Sequence, residues 1–316
     1  MPLVDTRKMF KTAYSGGFAI AAFNVYNMEI TEAIVTAAAE EQAPLILQIL
    51  PLTRKYTNMT YLRSFIDAVI ALNPAIPIAL NLDHGDSFET CKKCIDEGLT
   101  SVMIDGSALP FEQNIALTKQ VVDYAHPRNV VVEAELGKIG GIEENVPGVS
   151  RSDIKNNLTD PDQVVEFVAK TNCDSLAVAC GTSHGAYKFK GEPKLAFEVL
   201  AAVAEKLPGF PLVMHGASSV PQDIKNLINK LGGDLSDARG VPEEAIKKAA
   251  KMAVCKINVD TDLKMVMTAA IRRVFAEQPK EIDPMNYLGL ARDAIKEMVR
   301  HKLRLLGCAG KARQCL

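Results

Sequence analysis

Three of the five histidines in the sequence stand where they can share one metal ion. His84, His184 and His215 each lie at the end of an apolar run that is typical of a β-strand. Three neutral imidazoles bind zinc and leave a fourth position for a substrate oxygen, as catalytic zinc sites do. The three residues form no local metal-binding motif, so the prediction depends on a fold that gathers the strand ends. For each histidine alone, an ordinary hydrogen-bonded loop residue is the alternative.

Acidic residues beside these positions are candidates for proton transfer. Asp83 directly precedes His84, and adjacent residues at a strand end point to different sides, so one can bind metal while the other faces substrate. Asp83 is therefore a candidate acid or base for a substrate hydroxyl, the alternative being a residue that orients a histidine ligand. Glu133 and Glu135 share one face of a later strand, where one can be structural and the other close to the metal.

Three turns after the later strands suit a phosphate group. Their sequences are HGAYK, HGASS and NVDTD, at residues 184–188, 215–219 and 258–262. Glycine lets backbone N–H groups approach an anion, hydroxyl groups donate hydrogen bonds, and Lys188 adds positive charge. Barrel enzymes commonly bind phosphate after strands seven and eight, although each turn alone is also typical of an ordinary loop.

A glycine-rich acidic segment, GKIGGIEEN at residues 137–145, follows the fifth predicted strand. Paired glycines followed by Glu143 and Glu144 are typical of a mobile loop that carries a carboxylate over a bound ligand. Solvated turns often have the same composition, so this pattern alone is a weak indication.

Short apolar runs alternate with helical patterns along the whole chain. Near-continuous apolar strands separated by helices imply a parallel sheet that is covered on both faces. Eight such units fit a closed (β/α)₈ barrel, whereas a doubly wound sheet usually has fewer. The predicted strands are Phe18–Phe23, Pro44–Leu50, Ile76–Leu82, Ser101–Ile104, Val130–Leu136, Ser175–Ala179, Pro211–Met214 and Val254–Val259.

We expect residues 1–316 to form one such α/β barrel domain, because no linker-like segment divides the chain. Two further helices, Asp262–Glu277 and Pro284–Leu305, follow the eighth strand and are expected to pack outside the barrel. The C-terminal ends of barrel strands carry the chemistry in this class of fold, and Asn24, Gln48 and Asp105 also lie at such ends. The helices predicted between strands are Glu29–Glu41, Tyr61–Leu72, the run SFETCKKCIDEG at residues 87–98, Phe111–Ala125, Pro161–Thr171, Leu195–Lys206, Pro221–Lys230 and Pro242–Met252.

Composition excludes several classes of partner. The 36 basic and 38 acidic residues give a net charge of −2 without long runs of either sign, which argues against a nucleic-acid surface or a polybasic membrane anchor. No apolar stretch is long enough to span a bilayer, and the start MPLVDTRKMF has no signal-peptide pattern, so we expect a cytoplasmic protein. Seven cysteines at scattered spacings do not indicate a disulfide framework.

Several segments together resemble one known family. The strings FNVYN, LNLDHGDS, VMIDGS, VEAELGKIGGIEEN, GTSHGAYKF, PLVMHGASSVP and CKINVDTD are similar to motifs of class II, zinc-dependent fructose-1,6-bisphosphate aldolases. The resemblance runs in order from about Val4 to Gly310. It implies a (β/α)₈ barrel that works as a homodimer or higher oligomer. It also implies reversible aldol cleavage of a ketose 1-phosphate, by default fructose 1,6-bisphosphate, to dihydroxyacetone phosphate and an aldehyde.

The resemblance implies a role for each matching residue. His84, His184 and His215 match the zinc ligands, and Glu135 matches an acid that lies near the metal. Asp83 matches the aspartate that handles the proton of the C4 hydroxyl.

The same comparison implies the groups that bind the triose. Glu143 or Glu144 matches the loop acid that moves the carbon-bound proton of dihydroxyacetone phosphate. The family also often holds a monovalent cation near the phosphate. The residues implied for the 1-phosphate and the triose are Gly185, Lys188, Gly216, Ser218, Asn258, Asp260 and Thr261, to which Asn24 is added from its place at a strand end.

Three positions depart from the family pattern at the aldehyde end of the substrate. Leu50 stands where the family usually has Ser, and Lys264 and Met285 stand where it usually has Arg. In the family these positions contact the second phosphate, partly across a dimer interface. Arg54, in the same loop as Leu50, is a candidate to bind a differently placed anion, the alternative being a solvated loop arginine. A substrate with a carboxylate, a sulfonate (as in sulfofructose 1-phosphate) or a neutral group at that end is therefore a second hypothesis.

Two other functions are disfavoured. A zinc-dependent barrel hydrolase usually takes ligands from an early His-x-His pair, which the sequence lacks. A non-catalytic binding protein derived from an aldolase would be expected to lose metal and acid-base residues first, and here those residues are all present.

Overall fold

The computed structural model describes residues 3–139, 157–186 and 195–316. Eight parallel strands pair in chain order and close into a barrel, β1-β2-β3-β4-β5-β6-β7-β8. The predicted (β/α)₈ fold is therefore confirmed. The strands are β1 Ile20–Asn24, β2 Leu45–Ile49, β3 Ile78–Gly85, β4 Ser101–Ile104, β5 Val131–Leu136, β6 Ser175–Val178, β7 Leu212–Met214 and β8 Val254–Val259.

Every residue of the eight strands is buried. One side of each strand faces the packed barrel interior, where Met103, Ala177 and Val213 form a separate apolar layer, and the other side faces the helices. Burial on both sides explains why the strands show no alternation of polar and apolar residues.

Helices connect the strands and surround the barrel. Within the described ranges they are α1 Arg7–Gly16, α2 Met28–Glu40, α3 Pro51–Tyr56, α4 Met59–Leu72, α5 Phe88–Asp96, α6 Phe111–Ala125, α7 Val164–Thr171, α8 Phe197–Lys206, α9 Gln222–Lys230, α10 Glu243–Ala250, α11 Thr261–Glu277 and α12 Pro284–Leu305.

Two of these helices were not expected from the sequence. Helix α1 buries only Met9, Phe10 and Ala13, and its other residues are mostly polar, so its apolar stripe is short. Helix α3 has six residues and begins with Pro51 directly after β2, which is too short for a helical period to show.

The C-terminal helices pack outside the barrel, as predicted. Helix α12 packs against α11 and α2, and it buries Ile295, Val299 and Leu303. All seven cysteines are buried and free. No helix in the described part of the chain has the length and apolar character that crossing a membrane requires.

Candidate active site

The barrel brings the three histidines together. His84 lies in β3, and His184 and His215 follow β6 and β7. One ring nitrogen of each lies within 4.8 Å of the others, and all three residues are buried. The ring centroid of His84 is 4.8 Å from that of His184 and 4.5 Å from that of His215. Strand ends far apart in sequence thus meet at one edge of the barrel, as the sequence predicted.

The backbone at His84 departs from regular strand geometry. The pairing of β3 with β4 shifts register between Leu82 and Gly85, and His84 has a φ of 47°. A left-handed conformation is uncommon for a residue other than glycine and persists only where its surroundings hold it. The ring is held by Asp105, whose Oδ2 lies 3.0 Å from His84 Nδ1. Asp105 is in turn fixed by hydrogen bonds from the backbone N–H and hydroxyl of Ser107.

A buried chain of charged groups holds His215. Its Nε2 lies 2.7 Å from Glu133 Oε1, and Lys256 Nζ donates to Glu133 Oε2 at 2.7 Å. Burial alone would raise the pKa of Glu133, but the charge of Lys256 and the hydrogen bond with His215 outweigh it and lower that pKa to about 2. Burial and the neighbouring His84 lower the pKa of His215 to about 4, so its imidazole is neutral at pH 7.

These partners fix which nitrogens face the centre of the site. The ionised Glu133 accepts a hydrogen bond from the Nε2–H of His215, which leaves Nδ1 of His215 as an acceptor. The Asp105 carboxylate likewise accepts a hydrogen bond from the Nδ1–H of His84. This leaves Nε2 of His84 as an acceptor. Those two acceptor nitrogens lie 2.7 Å apart. Two lone pairs directed at each other repel unless a cation lies between them, so the geometry fits a metal site.

The donor set fits a divalent transition metal, of which zinc is one. Imidazole nitrogens are ligands that Zn²⁺ prefers, and a nearby carboxylate is a further ligand that it accepts. Glu135 Oε2 lies 3.8 Å from His215 Nδ1. One carboxylate oxygen of Glu135 is also grouped with His84 and Asp105, with ligand atoms within 4.8 Å of one another. Glu135 therefore lies beside the histidine cluster, whereas Glu133 is paired with Lys256 and His215.

The Asp83 carboxylate is held at the same edge of the barrel. Asn24 donates to its Oδ2 at 2.7 Å and Asn258 donates to its Oδ1 at 2.9 Å. Asp83 Oδ1 lies 3.9 Å from His84 Nε2. A chain of amides supports Asn24, because Gln48 donates to it and Asn81 donates to Gln48. The carboxylate therefore keeps one orientation beside the histidines.

A cavity opens next to these groups. Gly216 has a φ of +60°, and a Cβ there would lie 2.6 Å from the carbonyl oxygen of Ser183, so only glycine fits this turn. The predicted residues Glu143, Glu144 and Lys188 lie outside the described residues. The residues that line the cavity are Asn24, Leu50, Asp83, His84, His184, Gly185, Gly216, Ala217, Ser218, Asn258, Asp260 and Thr261.

Asp260 has two partners of its own. Tyr26 donates from its hydroxyl to Asp260 Oδ1, and Lys264 Nζ donates to Oδ2 at 2.7 Å. Burial raises the pKa of Asp260 above its ordinary value, although Lys264 opposes the shift. No separate role was predicted for Tyr26, which lies in the FNVYN string that the sequence analysis noted.

The residues at the predicted aldehyde end are placed differently from one another. Leu50 lines the cavity, whereas Met285 is 79% exposed at the start of α12. Arg54 donates two hydrogen bonds to Glu97, at 2.6 and 2.8 Å, and only 10% of its side chain is exposed. The alternative of a solvated loop arginine is therefore wrong, whereas binding of an anion by Arg54 stays a hypothesis. A bidentate ion pair binds the guanidinium to a neighbouring helix end, and it does not line the cavity in the described part of the structure.

A closed parallel barrel with converging histidines and a fixed carboxylate at the strand ends defines a metal-dependent barrel enzyme. A family model described as fructose-bisphosphate aldolase class-II matches residues 4–311. The chain therefore belongs to the class-II fructose-bisphosphate aldolase family. The predictions of family, of aldolase (lyase) chemistry and of a metal-dependent class are confirmed.

Individual relatives cover nearly the whole chain. A protein named fructose-bisphosphate aldolase from Treponema pallidum (strain Nichols) is 46% identical, with 98% of each chain covered. One with the same name from Giardia intestinalis is 49% identical and covers 99% of this chain and 95% of its own. Among solved structures, the YdjI aldolase from Escherichia coli K12 has 31% identity and a TM-score of 0.78, covering 98% of this chain and 100% of its own.

Proposed function

We propose that this chain, acting with zinc, reversibly cleaves fructose 1,6-bisphosphate to dihydroxyacetone phosphate and an aldehyde. The observation that carries the proposal is the Asp83 carboxylate, which is fixed by two amides and lies 3.9 Å from a nitrogen of His84. The proposed proton-transfer group and a proposed metal ligand are thus adjacent at the same cavity. The full-length relatives named fructose-bisphosphate aldolase support the choice of substrate.

Each residue of the cavity has a function in this proposal. Asp83 accepts the proton of the substrate hydroxyl during cleavage and returns it during condensation. Its two amide partners keep the carboxylate aimed at that hydroxyl, so little reorganisation is needed. His84, His184 and His215, with Glu135 nearby, would hold a zinc ion, which would act as a Lewis acid towards the negative charge that develops on the substrate.

In this proposal the turns after β6, β7 and β8 bind the triose end of the substrate. The backbone and hydroxyl groups of Gly185, Gly216, Ser218 and Thr261 bind the 1-phosphate in this proposal. Asn24, Asn258 and Asp260 complete the pocket around the triose. From the sequence we add Lys188 to the phosphate site, and Glu143 or Glu144 as the acid that moves the carbon-bound proton.

The same proposal includes properties that follow from the family resemblance. We infer a homodimer or higher homo-oligomer of single-domain chains in the cytoplasm, with a role in glycolysis and no nucleic-acid or membrane partner. A monovalent cation near the 1-phosphate is also included.

The test is release of dihydroxyacetone phosphate by the zinc-loaded protein and two variants. We expect Asp83→Ala to keep its zinc and to lose about 10²-fold or more in kcat, the range for loss of an acid-base group. Asp67→Ala is the control, because Asp67 pairs with Arg63 on the surface of α4. Near-normal turnover by Asp83→Ala would show that Asp83 only orients its neighbours.

A further inference from the structure

We propose that Lys302, on helix α12 outside the barrel, positions the loop of residues 216–220 that forms part of the phosphate site. This inference rests on the proposed function, because it concerns how the 1-phosphate is bound. Lys302 is not among the residues that line the cavity, and it reaches the loop through Asp262 and Ser219. It is a positioning residue, since no contact with substrate is involved.

The Lys302 ammonium is buried and fully engaged. Only 1% of the residue is exposed. Its Nζ donates to Ser219 Oγ at 2.6 Å, and it lies 2.9 Å from Asp262 Oδ2 and 3.0 Å from Glu243 Oε1. An ammonium group has three N–H donors, so these three acceptors use all of them. A buried charge is tolerated only when it is paired and hydrogen-bonded in this way.

Asp262 transmits this arrangement to the loop backbone. It is fully buried at the start of α11. Its Oδ1 accepts from the backbone N–H of Val220 at 2.8 Å, and its Oδ2 accepts from that of Ser219 at 2.9 Å. Lys302 neutralises this carboxylate, so loss of the ammonium would leave a buried charge with only neutral donors. The backbone of the loop is therefore held by an ion pair that comes from two other elements.

The loop needs such support because of its conformation. Val220 has a φ of 50°, which is a rare and strained value for a β-branched residue. Its side chain is fully buried with Ile228 and Met265. Such a conformation persists only where several contacts hold it at once, and the hydrogen bond from Val220 to Asp262 is one of them.

The front of the loop faces the cavity. Gly216 and Ser218 line the cavity, while the carbonyl of Ser218 accepts from the backbone N–H of Val241 at 3.0 Å. A shift at Ser219 would therefore move Ser218, and displacement by about 1 Å is enough to weaken a positioned contact substantially. The expected consequence is weaker binding of the phosphate group.

Lys302→Met tests this role on the zinc-loaded protein. We expect KM for fructose 1,6-bisphosphate to rise about 10-fold or more while kcat changes less than about threefold, because binding is lost and the acid-base and metal groups remain. The dissociation constant of inorganic phosphate, measured by ³¹P NMR titration, should rise by a similar factor. Lys296→Met is the matched control on the same helix, since Lys296 forms a partly exposed pair with Glu40, and it should change neither quantity.

Two further variants decide the outcome if Lys302→Met does not fold. Ser219→Ala removes one acceptor of Lys302 without leaving a charge unpaired. We expect KM for fructose 1,6-bisphosphate and the dissociation constant of phosphate each to rise about threefold. Lys302→Met combined with Asp262→Asn removes both charges and should still weaken phosphate binding, because an amide cannot accept from both Ser219 and Val220 through two oxygens.

The positioning role is overturned if these variants lower the unfolding temperature or kcat but leave KM and the phosphate dissociation constant unchanged. Lys302 would then be structural only. A failure of the proposed function gives a different result. In that case the unmodified protein does not cleave fructose 1,6-bisphosphate, and the phosphate dissociation constants of the variants still decide the role of Lys302.

Discussion

Lys256 is a charged residue in the middle of a barrel strand, where the apolar pattern of β8 would lead one to expect an aliphatic side chain. It forms an ion pair with Glu133 in which both partners are buried, with side-chain exposures of 1% for Lys256 and 2% for Glu133. Burying two charges costs free energy, and an apolar pair of similar size is often at least as stable. What the pair provides is an ionised Glu133, and hence a His215 whose proton is on Nε2 and whose Nδ1 can bind metal.

We predict that Lys256→Met weakens zinc binding. Without Lys256 the Glu133 carboxylate is no longer held ionised and aimed at His215, and loss of such a supporting contact typically costs about 10- to 100-fold in metal affinity. Competition with a chromogenic chelator measures the zinc dissociation constant. Lys92→Met is the control, because Lys92 pairs with Asp96 on an exposed helix face.

A double variant separates this role from a loss of stability. Glu133→Gln combined with Lys256→Met leaves no unpaired buried charge, and this variant should also bind zinc more weakly. If either folded variant binds zinc as tightly as the unmodified protein, the chain from Lys256 to His215 has no influence on the metal.

The secondary structure elements show what a sequence pattern can and cannot locate. Apolar runs identified all eight strands because burial on both faces leaves a continuous signal. The end of β3 was set too early, at Leu82, because the strand continues through a register shift to Gly85 with His84 in the left-handed region. No side-chain pattern encodes that backbone conformation, which depends on the surrounding contacts.

Two residues, one after β2 and one at the start of α12, lead to a prediction about substrate preference. The side chain of Leu50 offers no hydrogen-bond donor to the substrate, and that of Met285 offers no positive charge. We therefore expect a lower kcat/KM for fructose 1,6-bisphosphate than family members with Ser and Arg at these positions. Leu50→Ser combined with Met285→Arg should raise it by about 10-fold or more, since a charge-assisted contact is worth ~1.5–3 kcal/mol.

The measurement compares kcat/KM for ketose 1-phosphates with phosphate, carboxylate, sulfonate or hydrogen at the far end. Leu52→Ser is a matched control in α3, because Leu52 is exposed. Arg54→Ala should leave the order of preference unchanged, since Arg54 is bound to Glu97. A wide preference of the unmodified protein for the bisphosphate, with no gain from the double change, would contradict the altered-pocket hypothesis.

At the scale of the whole molecule, the site follows from barrel closure. His84, His184 and His215 meet only because strands three, six and seven end at the same edge, so the fold and the histidine cluster could be predicted together. The supporting contacts could not, because they depend on register and on which side chains face inward. Lys256 with Glu133 is one example, and Lys302 with Asp262 is another, in which the last helix reaches a loop far away in sequence.

The most direct test of the central claim is dihydroxyacetone phosphate release before and after removal of the metal. The three histidines are predicted to hold the zinc that makes cleavage possible, so prolonged chelation should abolish turnover and added zinc should restore it. Borohydride added with substrate should not inactivate the protein, because no covalent lysine intermediate is formed. Turnover that persists in fully metal-free protein, or covalent trapping by borohydride, would contradict the claim.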